Sequence, residues 1–522
     1  MRITNKIMRN NNLANINTNK IYQDKLSTQM STQKKIGRPS EDPVVAIRAL
    51  RLRSNVTEVT QYYSKNIPDA QSWLEVTEKA LDNLTGIITS MIEQCTKGSN
   101  GDLTSSDREI IIEQLKNLGE EVYSTGDADF AGRYVFTGYR TDTSLSFMKA
   151  ETLDYEITEQ VTKDNIDSIT VVKTTNAAGD DLMDVNEANY TQKNVSETDV
   201  ETMEIHRIRL AYSTCADDVP TITYQQSDGN GGFTEETLDV TVVHDYDDPY
   251  SAVAKMTENK ETGAVFCPET GEILLSEEAY LKLKATEDVA TTSSVDEDEI
   301  RVTYHKEEWK EGNLRPEHYF ACKSTDAQGK EIKYNQDYLE SNERNHQVIE
   351  YDVGFNQTIQ VNSTADECFK HNIGREVEDL INAMQDVVDM EAIVTDLEAE
   401  LESVTDATKK EALQGRIDAA EKALTFMKDK AQRMFEAGIT AFQGALDEAN
   451  LSITNCGTRS SKLELVESRM QVQKTTFETL KSENEDCDIT EVAIQLGSAE
   501  LTYEAALMAT GKIMQTTLLN FI

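Results

Sequence analysis

Apolar residues recur every seven positions near the start of the chain, at Ile7, Ala14 and Ile21, and this spacing constrains the fold more than any other feature. A repeat of seven predicts an amphipathic helix with a narrow apolar stripe instead of the wide face of a globular core helix. The segment LTYEAALMATGKIMQTTLLNFI at 501–522 is also rich in Leu, Ile, Met and Phe. Narrow stripes are buried by pairing, so we expect the first helix to pack on the last helix and on further copies of the chain.

A break follows the first helix at GRPSEDP. Pro39 and Pro43 lack an amide hydrogen and interrupt a helix, so we expect a domain hinge at these two residues. Ser40, Asp42 and Pro43 together predict the start of a second helix. Helical spacing then continues, and Ser106 with Glu109 predicts a capping box at the end of the loop KGSNGDLTSSDRE.

The pattern changes between about 148 and 372, where short runs of β-branched and aromatic residues alternate with turn residues. These runs predict strands, and SDGNGGFT predicts a hairpin loop. The runs are DYEIT, SITVVKTT, TITYQQ, LDVTVVHDY, IRVTYH and QTIQVN. From 374 onward apolar residues return at spacings of three and four, which is typical of a coiled coil, and NCGTRSS separates two such stripes. We expect the stripe of 377–450 to pack within the chain.

These patterns predict an α+β multidomain protein in which paired terminal helices and a long helical bundle or coiled coil enclose a mostly β insertion. The predicted segments are an N-terminal core helix at 1–40, helical half-domains at 44–147 and 374–485, mostly β outer domains at 148–372, and a C-terminal core helix at 488–522. The residues predicted to form an assembly interface are Ile3, Ile7, Ala14, Ile21, Leu496, Tyr503, Leu507, Ile513, Met514, Leu518 and Phe521.

Charge argues against several classes of partner. The 522 residues carry 94 acidic and 51 basic side chains, a net charge of −43, which disfavours binding to nucleic acid and to anionic lipid. Residues 1–60 have a basic excess, which fits either an arm that binds nucleic acid or a helix whose cations face acidic partner helices. The polar residues have helical spacing, so we favour the helix. We expect neither a membrane span nor a secretory signal, because the required apolar stretches are missing.

Nothing in the sequence predicts catalysis, a metal site or a cofactor. The seven cysteines form no CxxC pair, and the six histidines show no HxxxH or HExxH spacing. Gly229, Gly231 and Gly232 fit a hairpin turn better than a phosphate-binding loop. DVNEANYTQKNV lacks the glycine and the final glutamate of a calcium loop. We therefore expect a structural protein and not an enzyme.

Four segments resemble the flagellar hook-associated proteins of type 3, which are hook–filament junction proteins related to flagellin. The segments are MRIT, PSEDP, GRYVFTGYRTDTSLSF at 132–147, and DITEVAIQLGSAELTYEAALMATGKIMQTTLLNFI. GRYVFTGY and the C-terminal segment favour a junction protein over flagellin, in which a serine-rich LSSG-type segment would replace STQMSTQKKIGRPSEDP. The heptad run at about 391–435 and the large outer domain exceed the usual pattern of the family.

The resemblance implies a flagellin-like fold whose terminal helices assemble into the tubular core of the flagellum, with the β insertion pointing outwards. It implies a structural, extracellular role in motility, after export through the flagellar type III apparatus without a Sec signal. The implied partners are the hook-side junction protein, filament subunits, further copies in a ring, and a cytosolic export chaperone on the C-terminal helix, unless that helix is simply unfolded before assembly. A minor flagellin, or an adhesin carried by 148–372, is the alternative. Neither nucleic-acid binding nor membrane insertion is expected.

Overall fold

The computed structural model describes residues 5–175, 181–182, 195–227, 233–285, 299–325, 330–339 and 347–515. The chain is helical with several sheets, which is the predicted α+β class. It forms two compact units. The first comprises Met1–Gln71, Tyr351–Ile359 and Ser460–Ile522, and the second comprises Ser72–Glu350 and Gln360–Arg459. The domain boundaries drawn from the sequence stay a prediction.

The elements are numbered here in chain order. The α-helices are α1 (Asn5–Thr32), α2 (Pro43–Gln61), α3 (Ile67–Gly98), α4 (Ser105–Ser124), α5 (Pro249–Asn259), α6 (Glu277–Lys284), α7 (Ala365–Cys368), α8 (Ile373–Ser403), α9 (Ala407–Glu485) and α10 (Ile489–Gln515). The strands are β1 (Asp129–Phe130), β2 (Arg133–Tyr134), β3 (Glu151–Thr162), β4 (Asp167–Thr175), β5 (Asp181–Leu182), β6 (Val200–Arg209), β7 (Thr221–Ser227), β8 (Phe233–Leu238), β9 (Val240–Val242), β10 (Ala264–Cys267), β11 (Glu272–Leu275), β12 (Glu299–Trp309), β13 (Ala321–Thr325), β14 (Glu331–Tyr334), β15 (Glu350–Gly354) and β16 (Gln357–Gln360).

Helix α2 begins where the sequence predicts. The carboxylate of Asp42 accepts hydrogen bonds from the amides of Val44 and Val45 at 3.0 and 3.1 Å. Pro43 lies in the first turn, where the missing amide hydrogen costs nothing because that amide has no helical partner. A single π-helical turn, Tyr62–Asn66, joins α2 to α3, so the two helices run on without a loop.

The predicted start of α4 is wrong by two residues. Thr104, and not Ser106, is the N-cap, and Asp107, and not Glu109, completes the capping box. The Thr104 hydroxyl accepts from the Asp107 amide at 3.2 Å, and the Asp107 carboxylate accepts from the Thr104 amide at 3.2 Å. Both pairs of residues have the spacing of a capping box, and the earlier pair prevails because it lets the helix begin sooner.

The second unit contains two large sheets. Among the described strands, one sheet has the order β5-β4-β6-β11-β10-β9 and the other has the order β14-β13-β3-β12-β7-β8. Strands β7 and β8 form an antiparallel hairpin with Ser227 opposite Phe233, and the residues 228–232 of the predicted hairpin loop lie outside the described part of the chain. Many neighbouring strands are distant in sequence, so the strand order depends on long-range pairing.

A buried carboxylate lies in the second of these sheets. Glu159 on β3 accepts hydrogen bonds from the Tyr304 hydroxyl on β12 at 2.5 Å and from the Ala211 amide at 2.9 Å. Burial outweighs these bonds and raises the pKa of Glu159 to about 7.

Ion pairs join the first sheet to α8 inside the second unit. Arg207 on β6 pairs with Glu272 of β11 and with Asp379 of α8. Arg209, two residues later on the same side of the strand, pairs with Asp379 at 2.5 Å and with Glu376. The arginines hold the pKa of Asp379 below its usual value, although burial alone would raise it. The sheet and the helix are therefore held together by buried charge pairs.

Helices α8 and α9 pack through a common apolar core, as expected for the stripe of 377–450. The core includes Val387, Met390 and Leu397 of α8 with Leu413 and Ile417 of α9. Helix α9 continues through NCGTRSS to Glu485, so the two stripes predicted on either side of this segment lie on one helix. Cys456 is buried there, and its thiol donates to the Leu74 carbonyl at 3.4 Å.

Candidate assembly interface

Helices α1 and α10 contact each other within the first unit through a narrow seam. Leu26 of α1 and Val492 and Ala499 of α10 form a small buried cluster, and Leu496 packs against it. The Tyr22 hydroxyl donates to the side-chain oxygen of Gln495 at 3.3 Å. This cluster of three side chains is small for two helices of 28 and 27 residues, and several large apolar side chains of both helices are exposed.

Both helices expose several large apolar side chains among polar ones. On α1, Ile21 is 71% exposed, and Ile7 and Leu13 are exposed as well. On α10, Ile494, Leu501 and Met508 are exposed at intervals of seven residues, with Leu501 at 70%. Each large apolar side chain left in water forgoes about 1.5–3 kcal/mol of burial free energy. Contiguous exposed apolar surface of this kind marks an interaction surface.

The predicted interface residues divide into three groups. Ile7, Ala14, Ile21 and Leu507 are exposed. Leu496 and Tyr503 are half-buried. Ile513 and Met514 belong to α10 but their side chains lie outside the described part of the structure, as do the whole residues Ile3, Leu518 and Phe521. Their role in assembly stays a prediction.

Sequence reasoning missed part of this exposed surface. Ile494, Leu501 and Met508 were not chosen, although their spacing of seven was visible in the sequence. The stripe that was chosen on α1, containing Ile7 and Ile21, is the exposed one, whereas Ile16 and Leu26 are buried. Two stripes of similar spacing share this helix, and the sequence does not show which of them contacts α10.

A short clamp joins the segment after α1 to the segment before α10. The Lys35 amide donates to the Glu485 carbonyl at 2.7 Å, and the Cys487 amide donates to the Gln33 carbonyl at 3.0 Å. Lys34 and Asp486 form an antiparallel bridge between these bonds, and their side chains pair at 2.5 Å. The clamp thus holds the C-terminal end of α1 beside the N-terminal end of α10.

The Glu485 carboxylate is the electrostatic centre of the clamp. Arg53 of α2 holds it with two parallel bonds, from Nε at 2.6 Å and from Nη2 at 2.7 Å, and Lys34 lies 3.5 Å away. The side chain of Glu485 is only 4% exposed. The bond from Arg53 holds the pKa of Glu485 below its usual value. The clamp therefore depends on an ionised carboxylate.

The predicted hinge residues flank the turn between α1 and α2. Pro39 lies in the turn that precedes the Asp42 cap, and Pro43 lies in the first turn of α2. A cleft of about 180 Å³ lies beside them, lined by Ile36, Pro39, Ala46 and Ala49 among others. Whether the segment moves as a hinge stays a prediction.

No helix of the described chain has the length and apolarity needed to cross a membrane. Within the same residues, no three His, Cys, Asp or Glu side chains are grouped in a way that could hold a metal ion.

Comparisons with known proteins agree with the predicted resemblance. Residues 3–141 match the family model of the bacterial flagellin N-terminal helical region. The flagellar hook-associated protein 3 of Salmonella typhimurium is 29% identical over 143 residues, which are 27% of this chain and 45% of the relative. A flagellin of Clostridium tyrobutyricum is 27% identical over 122 residues, which are 23% of this chain and 32% of the relative. The chain thus spans less than half the length of these relatives.

A solved structure from Vibrio parahaemolyticus, provisionally named as a flagellar hook-associated protein, covers 85% of this chain and 100% of its own, at 14% identity and a TM-score of 0.34. A TM-score this low gives no overall superposition, so the relationship depends on the sequence matches. Residues 3–141 are thus similar to the bacterial flagellin N-terminal helical region, and flagellar hook-associated protein 3 is among the proteins that the chain resembles.

Proposed function

We propose that this protein is a structural component of the axis of the bacterial flagellum that joins hook to filament at the hook–filament junction. The observation that carries the proposal is the combination of two facts about α1. It lies in the region that matches the flagellin N-terminal helical region, in a chain similar to flagellar hook-associated protein 3, and it exposes an apolar stripe containing Ile7 and Ile21. Exposed apolar surface of this kind is typical of a site that contacts another protein.

The terminal helices are the assembling elements in this proposal. Helix α1 pairs with α10 through the seam at Leu26, and the outer stripes of both helices are buried when copies come together. Gain of this burial on assembly offsets the entropy lost when the helices become ordered. The β insertion of 148–372, flanked by the helical segments 44–147 and 374–485, belongs to the outer part of the flagellum.

The proposed partners are the hook-side junction protein, the first filament subunits and further copies of this chain in a ring. An export chaperone covers the apolar surface of α10 in the cytosol before the protein leaves through the type III apparatus. The final location is extracellular. A net charge of −43 favours solubility before assembly and disfavours nucleic acid as a partner.

A minor flagellin is the second candidate function, supported by the similarity to the flagellin of Clostridium tyrobutyricum. It would use the same terminal helices but would occupy the filament along its length. The two functions therefore predict different positions for the protein on the same organelle.

Deletion of residues 489–522 tests the proposed role of the C-terminal helix. The mutant cells should make hooks to which no filament stays attached, and electron microscopy of the cell surface detects this. Leu281→Asp, which alters an exposed leucine on α6 of the second unit, is the control and should leave filaments in place. Normal filaments in the deletion mutant would refute the proposal.

A further inference from the structure

Helix α2 has an exposed apolar surface that the pairing of α1 with α10 does not use. Val44, Ile47 and Leu50 follow one another at intervals of three residues, and each is more than half exposed. Ala46, Ala49 and Val59 lie on the buried side of the same helix. Because residues three or four apart are neighbours on a helix, Val44, Ile47 and Leu50 form one continuous surface.

Two arginines flank this surface on α2. Arg48 and Arg51 are exposed, and Arg51 lies one turn from Ile47. Neither guanidinium has an ion-pair partner among the residues that the structure describes. Within α2 the first acidic residue is Glu58, more than one turn beyond Leu50. The surface is thus apolar and cationic in a protein whose net charge is −43.

The exposed stripe on α10 carries carboxylates along one side, and Lys512 lies one turn beyond Met508 at its C-terminal end. Between Ile494, Leu501 and Met508 lie the small residues Gly497, Ser498 and Ala505, which leave gaps between the large side chains. Glu500 and Glu504 are exposed along one side of this stripe. The stripe therefore presents apolar ridges, gaps and carboxylates to a partner helix.

We infer that α10 of one copy docks on the α2 surface of the next copy, with Ile494, Leu501 and Met508 against Val44, Ile47 and Leu50. The carboxylates of Glu500 and Glu504 then meet the guanidiniums of Arg48 and Arg51. This contact deepens the proposed function, on which it rests, by naming the surface that receives the C-terminal helix. The contact joins two different surfaces of the chain. Each copy can therefore dock on one neighbour and receive another, so the contact links a series of copies and does not form a closed pair.

The exposed stripe of α1 offers a less regular surface to the same partner. Ile7, Leu13 and Ile21 are six and eight residues apart, whereas Val44, Ile47 and Leu50 follow one another at intervals of three on α2. Both helices carry exposed cations, among them Lys20 and Lys25 on α1, so charge permits either helix as the partner of an acidic stripe. The closer spacing of the apolar side chains favours α2.

Cysteine cross-linking between copies of the full chain tests this contact. One tagged chain carries Ile47→Cys and a second, differently tagged chain carries Leu501→Cys. The two are mixed under assembling conditions, with assembly followed by sedimentation, and are oxidised with diamide. We expect a disulfide-linked heterodimer. Leu465→Cys is the matched control, because Leu465 is 75% exposed on α9 of the same unit and should give little product with Leu501→Cys. The unsubstituted chain measures the background from the seven native cysteines.

Charge reversal provides the second measurement. Arg48→Glu with Arg51→Glu on the Ile47→Cys chain should lower the heterodimer yield about tenfold, since two attractive rim pairs become repulsive. Glu500→Lys with Glu504→Lys on the Leu501→Cys chain should restore the yield. Circular dichroism of each variant checks that the helices remain folded.

The outcomes separate this contact from the proposed function. Assembly without the 47–501 cross-link, or a higher yield when Ile21→Cys replaces Ile47→Cys, overturns the docking of α10 on α2 and leaves the junction role standing. A yield that charge reversal does not change also overturns it. Failure of the unsubstituted full chain to assemble under any condition contradicts both.

Discussion

Substitution of Glu485 by Gln should weaken the clamp that joins the two terminal helices. The carboxylate accepts two bonds from Arg53 and lies 3.5 Å from Lys34. Glutamine keeps the shape of the side chain but removes its charge, and its amide nitrogen would face a guanidinium instead of accepting from it. The side chain is 4% exposed, so water replaces the lost bonds poorly.

The expected loss is moderate because Arg53 is itself 55% exposed and partly screened by water. Breaking a fully buried pair costs about 3–5 kcal/mol, and an exposed pair contributes less than about 1 kcal/mol. An intermediate loss of about 1.5 kcal/mol corresponds to roughly tenfold more frequent opening of the clamp.

Hydrogen exchange measures this opening at the amides of Lys35 and Cys487, which bond across the clamp. Both should exchange roughly tenfold faster in the variant at neutral pH. The pKa of Glu485 is lowered in the folded protein, so its stabilisation is present above the unfolded value and is lost as the pH falls through the folded value. The exchange rates of the parent protein and of Glu485→Gln should therefore become equal in acid. Glu75→Gln, in an exposed pair with Lys79, is the control. Equal exchange of Lys35 and Cys487 in the parent protein and in Glu485→Gln at neutral pH would refute the reasoning.

Three further changes give separate predictions. Burial raises the pKa of Glu159 to about 7, so between pH 4.5 and 7 the folded protein binds a proton that the unfolded chain does not. The free energy of unfolding should therefore fall by up to about 3 kcal/mol as the pH rises through this range. Urea titrations of Glu159→Gln should show no such fall, and an unchanged pH dependence would contradict the prediction. Gly98→Ala should lower the melting temperature, because the added methyl group would overlap the Phe435 ring. Gly86→Ala in the same helix has open space beside it and should be neutral or stabilising by about 0.5–1 kcal/mol. Equal melting temperatures of the two variants would argue against this packing. Leu507→Asp should block assembly in sedimentation while leaving the circular dichroism spectrum unchanged, and normal assembly would remove Leu507 from the interface.

The sequence predicted local structure better than pairing. The runs SITVVKTT and IRVTYH lie in β4 and β12 as expected, because alternation of β-branched residues is a local property. The order of strands in the two sheets was not predictable, since β3 pairs with β12 and β13 across more than a hundred residues. The continuity of α9 through NCGTRSS was not predicted, and Cys456 in this segment is buried and contacts the Leu74 carbonyl, which is distant in sequence.

The candidate interface was predictable in kind but not in detail. A spacing of seven predicted the narrow stripe of α1, and the apolar segment 501–522 predicted its pairing with the last helix. Ile7 and Ile21 are exposed, and their role in assembly stays a prediction. The clamp at Glu485 had no local signal, because Arg53 and Glu485 are 432 residues apart. Long-range charge pairs of this kind depend on the fold and are visible only in the structure.

Labelling the protein on intact flagella with a specific antibody tests the central claim most directly. The proposed function predicts a single band of label where the hook meets the filament. Label distributed along the filament would contradict it and would indicate a minor flagellin.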